Sequence, residues 1–444
     1  MIQGAPWLHI LKFSFPILAG AVLQQLYTTV DTVIVGNFTG ESALAAVGTT
    51  NTLTFFFLAG AIGFSAGNGV LTSQHFGAGK MEQVRKDGSG GICFLLLAGV
   101  ISGSIGLLLS RWAFTCFIAA PPEILENTLL YFRIYCLGLI FQFGYNSLAA
   151  VLRSVGDSAA TLYFLMMASI LNIGLDLLFV AVWDWGVAGA AIATNISQAA
   201  SLAAAWFYMH KRYPVFRYSF KELHLERSVA AGTFRIGWPI ALQMMIIALG
   251  ISFIQRAVNS FGQVMTAAFT VGQRIEMYLH LPCNAMMTTL ATFTGQNVGA
   301  GKMDRVRLGA RQGTIISFVI TLLLALIIWS LAGAIPQWFA LGRQAANYCV
   351  SYLNAMAFIV VILSLYAPVF GVFQGTRHAL APTLVALCAL TFRVIITYLA
   401  KDSQWFGHTI IWWNGLFGFS LGCSITWCYY FSNRWQKNAA GKAE

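Results

Sequence analysis

Long apolar runs, interrupted only by short polar breaks, constrain this sequence more than any other feature. Two examples are Ile92–Leu109 and Thr314–Ala334, neither of which contains a charged residue. A helix that crosses a bilayer needs about 20 mostly apolar residues. Runs of this length without alternation of apolar and polar residues indicate membrane-spanning helices and argue against an outer-membrane barrel, whose strands alternate.

The composition excludes the water-soluble classes of protein. Of the 444 residues, 58% are hydrophobic and only 9% are charged, whereas soluble domains carry roughly 25% charged residues. The eight cysteines are scattered and form no CxxC pair, so neither a disulfide scaffold nor a zinc ribbon is indicated. We therefore predict an all-α integral membrane protein.

Apolar runs between polar breaks predict twelve spans. Their expected limits are 13–36, 43–71, 89–110, 128–151, 159–182, 186–209, 236–258, 264–292, 312–334, 347–373, 380–400 and 408–431.

Lysine and arginine are distributed unevenly between the loops of this arrangement. Nineteen of the 26 fall on the side of the N-terminus and four on the other side. The remaining three, Arg133, Arg274 and Arg393, lie within spans. By the positive-inside rule, this bias predicts a multi-pass protein of the inner (plasma) membrane with both termini in the cytoplasm. It also accounts for the net charge of +11 without nucleic acid as a partner.

The two halves of the sequence resemble each other. Gly77–Arg85 (GAGKMEQVR) and Gly299–Arg307 (GAGKMDRVR) agree at seven of nine positions, and Pro16 and Pro239 occupy similar places near the start of each half. Because each half has six spans, the repeats are parallel and form two pseudo-symmetric six-helix lobes. The expected division is an N-lobe at 1–210, an amphipathic cytoplasmic linker at 211–235, a C-lobe at 236–435 and a cytoplasmic tail at 436–444.

Acidic residues within the predicted spans indicate function, because a charge at mid-bilayer costs about 2.5–3.5 kcal/mol on insertion scales. Asp31 follows Tyr27 by four residues on one helix, and Asp176 follows Asn172 by four on another, so each pair shares a helix face. If these helices converge with the one that carries Thr194 and Asn195, the oxygens suit Na⁺, and the two carboxylates suit a shared proton. A structural hydrogen-bonded network, or pairing of one acid with Arg133, is the alternative.

The second half contains a separate set of charges within its spans. Glu276 lies close to Arg274 in sequence, and Arg393 lies on a later span. These residues are candidates for gating or for a structural pair. Methionine doublets, such as the one that contains Met166, are candidates for an adaptable apolar cavity.

Several motifs, in this order and spacing, resemble the multidrug and toxic compound extrusion (MATE) family of cation-coupled antiporters. The resemblance covers about residues 10–435. The motifs are Pro16 through Gln24, Tyr27 with Asp31, the two Q-x-x-GAGK segments, Arg153-Ser-Val-Gly-Asp157, Asn172-x-x-x-Asp176, the Gly186–Thr194 segment and Phe373-Gln-Gly375.

The resemblance, strongest to the DinF-type branch, implies a V-shaped pair of lobes that exports organic cations or amphipathic toxins in exchange for H⁺ or Na⁺. It implies an ion-responsive site, a helix that bends at Pro16, and Gln24 and Gln25 facing the cavity of the N-lobe. The residues implied for the ion site are Tyr27, Asp31, Tyr131, Asn172, Asp176 and Thr194. We add Asn195 and Met166 as candidates for the substrate cavity.

The sequence departs from the family pattern at three places. The seventh span, 236–258, has no acid, which argues against an ion site in the C-lobe of the kind found in the sodium-type branch. Leu177 stands where relatives often have proline, and Arg377 stands where they often have glycine. The last two departures concern local helix geometry.

We therefore predict a secondary active multidrug antiporter that works by alternating access. It is expected to be a monomer that contacts membrane lipids, to take cationic or amphipathic drugs, and to need no cofactor beyond the coupling ion. A lipid-linked-oligosaccharide flippase of the same architecture is the main alternative, and it would need several arginines in the cavity. A membrane enzyme is disfavoured because the seven histidines are dispersed, and a scaffold without a transport path is the remaining alternative.

Overall fold

A computed structural model describes residues Met1–Gln436, which are helical and contain no β-strand. The predicted tail, 436–444, lies outside the described residues except for Gln436. The first seven helices are α1 (Pro6–Gly77), α2 (Met81–Trp112), α3 (Pro122–Leu137), α4 (Leu139–Ser154), α5 (Ser158–Asp176), α6 (Gly186–Arg212) and α7 (Arg227–Asn259). The next six are α8 (Gln263–Gly299), α9 (Met303–Leu331), α10 (Ile335–Trp338), α11 (Arg343–Gly375), α12 (Leu380–Ala400) and α13 (Thr409–Phe431).

Helix α1 is two spans joined at one glycine. It has 72 residues, which at about 1.5 Å per residue is far longer than one bilayer crossing. Gly40 has φ 84° and ψ 178°, a conformation that glycine adopts without a steric penalty. The arms before and after Gly40 contain the predicted spans 13–36 and 43–71.

The helices account for twelve spans within the described residues. Eight are long and apolar enough to cross a membrane, and α3 with α4 makes a further span bent by 44°. The two arms of α1 count separately. Helices α8 and α13 have 37 and 23 residues, and each is long enough for one crossing.

By packing, the chain forms two compact units, which we call the first unit (Ala19–Ala241) and the second unit (Met1–Leu18 with the described residues from Leu242 onward). The core of the second unit includes Phe293, Phe373 and Trp412, all fully buried. In the first unit, separate clusters form around Phe143 and around Phe216. These units follow from contacts, whereas the predicted lobes follow from the repeat, so the lobe boundaries stay a prediction.

The segment between α6 and α7 is folded onto the first unit. It contains two short 3₁₀ turns, Pro214–Phe216 and Phe220–Glu222, and the second begins with a capping box formed by Ser219 and Glu222. Phe216 and Tyr218 are buried in a protein cluster. The apolar area of these aromatic residues in the predicted amphipathic linker is thus covered by protein, which removes it from water.

Close helix packing in the second unit depends on glycine. A Cβ added at Gly371 of α11 would overlap the backbone carbonyl of Met287 on α8, and one at Gly375 would lie 2.6 Å from the carbonyl of Ala291. Neither obstacle is a flexible side chain, so the helices would have to separate.

We expect Gly371→Ala to destabilise the protein by about 1–3 kcal/mol, the usual range for overpacking. Thermal unfolding in detergent measures this change. Gly48→Ala is the matched control, because Gly48 is also within a helix but a Cβ there meets nothing within 4 Å. Equal melting temperatures for the two variants would contradict the proposed packing.

Candidate functional site

Asp31 and Asp176 come together in the first unit. Asp31 lies on the first arm of α1, and Asp176 is the last residue of α5, where the helix continues into a π-helical turn over Leu177–Val182. The two carboxyl groups are close enough to interact electrostatically with each other. Asp176 is completely buried and Asp31 is partly buried. Asp31 and Asp176, which the sequence analysis assigned to one site, therefore lie close together in the structure.

Hydrogen bonding around these acids is incomplete. Among the described residues, no donor or acceptor satisfies Asp31 Oδ1, either carboxyl oxygen of Asp176 or the side-chain amide atoms of Asn172. Two carboxyl groups in contact form a hydrogen bond only when one of them carries a proton, and they repel each other when both are charged. The arrangement can therefore bind a proton between the acids or present oxygens to a cation.

Two tyrosines lie beside the acids, and a third lies beside the tyrosines. The phenols of Tyr27 and Tyr131 are close enough to interact electrostatically with both carboxyl groups. Tyr135, which the sequence analysis did not select, is a neighbour of both tyrosines and donates a hydrogen bond to Gln142 Oε1 at 2.8 Å. The spacing of four residues between Tyr131 and Tyr135 places them on one face of α3, and this signal was available in the sequence.

Thr194 and Asn195 on α6 make local contacts. The hydroxyl of Thr194 donates to the carbonyl of Ala190 at 3.0 Å. The amide of Asn195 donates to the carbonyl of Ile134 at 2.6 Å, next to Gly138, where α3 and α4 meet at an angle. A Cβ at Gly138 would overlap the Asn195 side chain. Asn195 thus stabilises the break in this span, and its assignment to a substrate cavity stays a prediction.

The other predicted residues of the first half lie on the predicted helices. Gln24 and Met166 are exposed, and Gln25 is half-buried. Arg133 is also exposed and donates to Ser110 Oγ at 3.1 Å, so it pairs with neither acid. The assignment of the two glutamines and Met166 to a cavity stays a prediction.

Glu276 in the second unit has partners other than the one predicted. One of its oxygens accepts a hydrogen bond from the hydroxyl of Tyr352, and the other lies 3.5 Å from His280 Nε2. Arg274 is exposed and does not pair with Glu276. A structural pair of Arg274 with Glu276, one of the alternatives that the sequence left open, is not formed, because residues two apart on a helix do not face each other. A gating role for these residues stays a prediction.

Arg393 is held by α13. Its Nε donates to Asn414 Oδ1 at 2.9 Å, and its guanidinium carbon lies 5.0 Å from the centre of the Phe419 ring. The side chain crosses α13 at Gly418, where a Cβ would overlap it. The cation is thus satisfied by a hydrogen bond and by an aromatic face.

Comparison with known proteins identifies the family. The model of the MatE family matches residues 16–178 and, a second time, residues 239–399. The chain belongs to the MatE family. The two matches begin at Pro16 and Pro239, as the internal repeat predicts. Membership makes the protein a multi-pass membrane transporter rather than an enzyme.

Curated relatives match over almost the entire chain. The protein is 28% identical to the probable multidrug resistance protein YpnP of Bacillus subtilis, covering 98% of this chain and 97% of the relative. It is 21% identical to the probable multidrug resistance protein NorM of Thermotoga maritima, covering 97% and 93%. It is 23% identical to an FAD transporter of Shewanella oneidensis, covering 96% and 94%.

Solved structures have the same fold. A MATE protein in the bent conformation matches with a TM-score of 0.91 at 22% identity, covering 99% of this chain and 98% of that chain. An outward-facing multidrug resistance MATE transporter matches with a TM-score of 0.89 at 22% identity, covering 98% and 97%. The predicted fold class, twelve helices in a MATE arrangement, is confirmed.

We expect Tyr352→Phe to lower the free energy of unfolding by about 1–3 kcal/mol, because it leaves the buried Glu276 carboxyl without its donor. Thermal unfolding in detergent measures the loss. Tyr278→Phe on α8 is the matched control, and it should change stability by less than half as much. A Tyr352→Phe protein as stable as the control would mean that this hydrogen bond contributes nothing to the second unit.

Proposed function

We propose that the protein is a secondary active antiporter that exports cationic or amphipathic organic compounds in exchange for protons. In this proposal it acts as a monomer of the inner membrane, with both termini in the cytoplasm, and its ion site is that of the DinF-type branch. The observation that supports it most directly is the proximity of the Asp31 and Asp176 carboxyl groups, which interact electrostatically. The multidrug resistance relatives support the substrate class.

The acid pair provides a physical basis for exchange. With one proton bound, the pair carries a single negative charge that the two groups share, and with two protons it is neutral, so either state is less costly in buried surroundings than the fully charged pair. Without protons, two negative charges remain in a low-dielectric site, which is costly unless a cation approaches. Proton and organic cation therefore favour opposite states of the site, and this opposition is the thermodynamic requirement for coupling.

We assign the coupling ion as H⁺ because two neighbouring carboxyl groups can share a proton. Sodium prefers several oxygen ligands around one point. The set first considered for Na⁺ was Asp31, Asn172, Asp176 and Thr194. The Thr194 hydroxyl donates its hydrogen to the carbonyl of Ala190, which leaves its lone pairs able to coordinate a cation. The choice of H⁺ therefore depends on the proximity of the two carboxyl groups and not on Thr194.

Helix α1 connects the site to movement in this proposal. It carries Tyr27 and Asp31, and it contains Pro16, which removes one helical hydrogen bond and permits bending. When the pair gains a proton, repulsion between Asp31 and Asp176 disappears, and the first arm of α1 repacks. That repacking changes the space available to the substrate.

The flippase alternative gains no support from the arginines. Arg133 lies on α3 in the first unit, whereas Arg274 and Arg393 lie on α8 and α12 in the second. Arg393 is engaged by Asn414 and Phe419. No group of arginines that would receive a pyrophosphate is formed within either unit by these three residues.

Asp31→Asn and Asp176→Asn should each reduce proton-driven export of ethidium from proteoliposomes by at least tenfold. Asparagine keeps the shape of the side chain but cannot exchange a proton, so coupling is lost. The measurement is ethidium efflux under an imposed pH gradient, with a sodium gradient imposed separately to test the ion assignment.

Asp184→Asn is the control for these variants. Asp184 is an exposed acid of the same unit with φ 54°, and asparagine tolerates this left-handed conformation. It should export at the unmodified rate. If Asp31→Asn exported ethidium as fast as Asp184→Asn under the pH gradient, the proposed site would be refuted. Export driven only by sodium would refute the assignment of H⁺.

A further inference from the structure

The chain passes between the two units at two equivalent points. Residues 1–18 belong to the second unit and 19–241 to the first, and the second resumes at 242. Both points lie inside helices, in α1 and α7. Each lies two residues after a proline, Pro16 in α1 and Pro239 in α7. Proline interrupts the helical hydrogen-bond ladder, so both helices are weakened close to where they change units.

The segment that leads into α1 is fixed by two basic residues at the start of α9. Arg305 donates to the carbonyls of Met1 at 3.0 Å, Gln3 at 3.3 Å and Gly4 at 2.9 Å. Lys302 donates to the carbonyl of Ile2 at 3.0 Å. Consecutive backbone carbonyls of this segment are thus held by charged donors, which form the stronger class of hydrogen bond.

The segment that leads into α7 is fixed in the same way at the start of α2. Arg85 donates to the carbonyls of Val215 at 3.0 Å and Arg217 at 2.6 Å, and to Glu222 Oε2 at 2.8 Å. Ser89 donates to the carbonyl of Glu222 at 2.5 Å. The backbone N–H of Ser219 and the Arg85 guanidinium lower the pKa of the Glu222 carboxyl, so the ion pair stays charged to a lower pH than a free glutamate would.

The two anchoring arginines do not occupy matching positions of the repeat. Arg85 aligns with Arg307, whereas Arg305 aligns with Gln83. Arg307 instead contacts Gln436 at 2.7 Å and Asp304 at 3.6 Å. Arg305 and Arg85 therefore share a role, since each holds the segment before a proline-containing helix. They do not share an equivalent position in the GAGKM repeat.

We propose that Pro239 is a second hinge of the transport cycle, in addition to Pro16, and that Arg305 and Arg85 are positioning residues that anchor the bases of the two hinged helices. Each anchor sits in the unit where its helix begins, and each hinge lies just before the point where the helix changes units. This inference rests on the proposed transport cycle but does not depend on the identity of the coupling ion.

Anchoring matters because a hinge transmits movement only if one side of it is fixed. With the lead-in segment held, bending at the proline displaces the part of the helix beyond it. Without the anchor, the same change at the ion site moves the base of the helix as well. Less of the movement then reaches the part of the helix beyond the proline. The anchors should therefore affect the rate of the cycle rather than the affinity for substrate.

The first test compares Arg305→Ala with Arg307→Ala in proteoliposomes. We expect Arg305→Ala to lower the maximal rate of ethidium export at least fivefold, with the ethidium Kd in detergent changed less than twofold. Arg307→Ala should stay within twofold of the unmodified protein in both. Arg305→Lys keeps the charge and a donor, and it should recover part of the lost rate.

Deletion of residues 1–4 separates anchoring from any other effect of Arg305. The deletion should reproduce the lower rate of Arg305→Ala, and combining the two should lower it no further, since both remove the same contacts. Additive losses, or a Kd that changes as much as the rate, would overturn the role of Arg305. Melting temperatures identify a variant that merely unfolds, and the deletion then provides the test.

Pro239→Ala tests the second hinge, with Pro368→Ala as the control because Pro368 is also inside a helix but far from either crossing point. We expect at least a fivefold lower export rate for Pro239→Ala with unchanged Kd, and less than a twofold change for the control. Equal rates would overturn the hinge. Export driven by sodium instead of protons would contradict the proposed function. The rates of these variants and their controls could still be compared, so the hinge and the anchors would still be tested.

Discussion

Two carboxyl groups that face each other away from water can both be charged only at a high electrostatic cost. This constraint determines what the contact between Asp31 and Asp176 can do. The pair needs a proton, or it needs a cation nearby, and the surrounding protein satisfies only part of its hydrogen-bonding capacity. The unsatisfied oxygens are consequently the part of the first unit most sensitive to a change in protonation or to an approaching cation.

Buried charges of the second unit lie beside groups of a different kind. Glu276 accepts a hydrogen bond from Tyr352 and lies near His280, and Arg393 is held by Asn414 and Phe419. His280 Nε2 has no hydrogen-bond partner among the described residues, so this network is incomplete as well. What distinguishes the first unit is that two acids lie beside each other, and this difference supports placing ion exchange there.

Local sequence patterns predicted most of the fold. Uninterrupted apolar runs gave the spans, and the repeated GAGKM segments gave the duplication, because hydrophobic length and sequence identity are local properties. Spacing of four residues placed Asn172 with Asp176 on one helix face. The contact between Asp31 and Asp176 joins residues distant in sequence, and it was reached through convergence of helices and through the family resemblance.

Other features depend on contacts that local patterns do not contain. The partner of Glu276 is Tyr352, which is 76 residues away, whereas the sequence suggested only the nearby Arg274 as a possible partner. The bend at Gly138 depends on Asn195 from another helix. The folded segment between α6 and α7 was in part readable, since Ser219 and Glu222 have the spacing of a capping box. The attachment of this segment to Arg85 could not be predicted from the sequence. Arg85 binds backbone carbonyls, and every residue type has a backbone carbonyl, so the accepting residues show no sequence signal.

The central claim is that proton and organic cation compete through the Asp31–Asp176 pair, and proton release on substrate binding tests it most directly. Purified protein in weakly buffered detergent solution would be mixed with ethidium, and the released protons would be counted with a pH indicator. The account predicts about one proton or more released per ethidium bound, and none released by Asp31→Asn. Ethidium binding without proton release in the unmodified protein would contradict it.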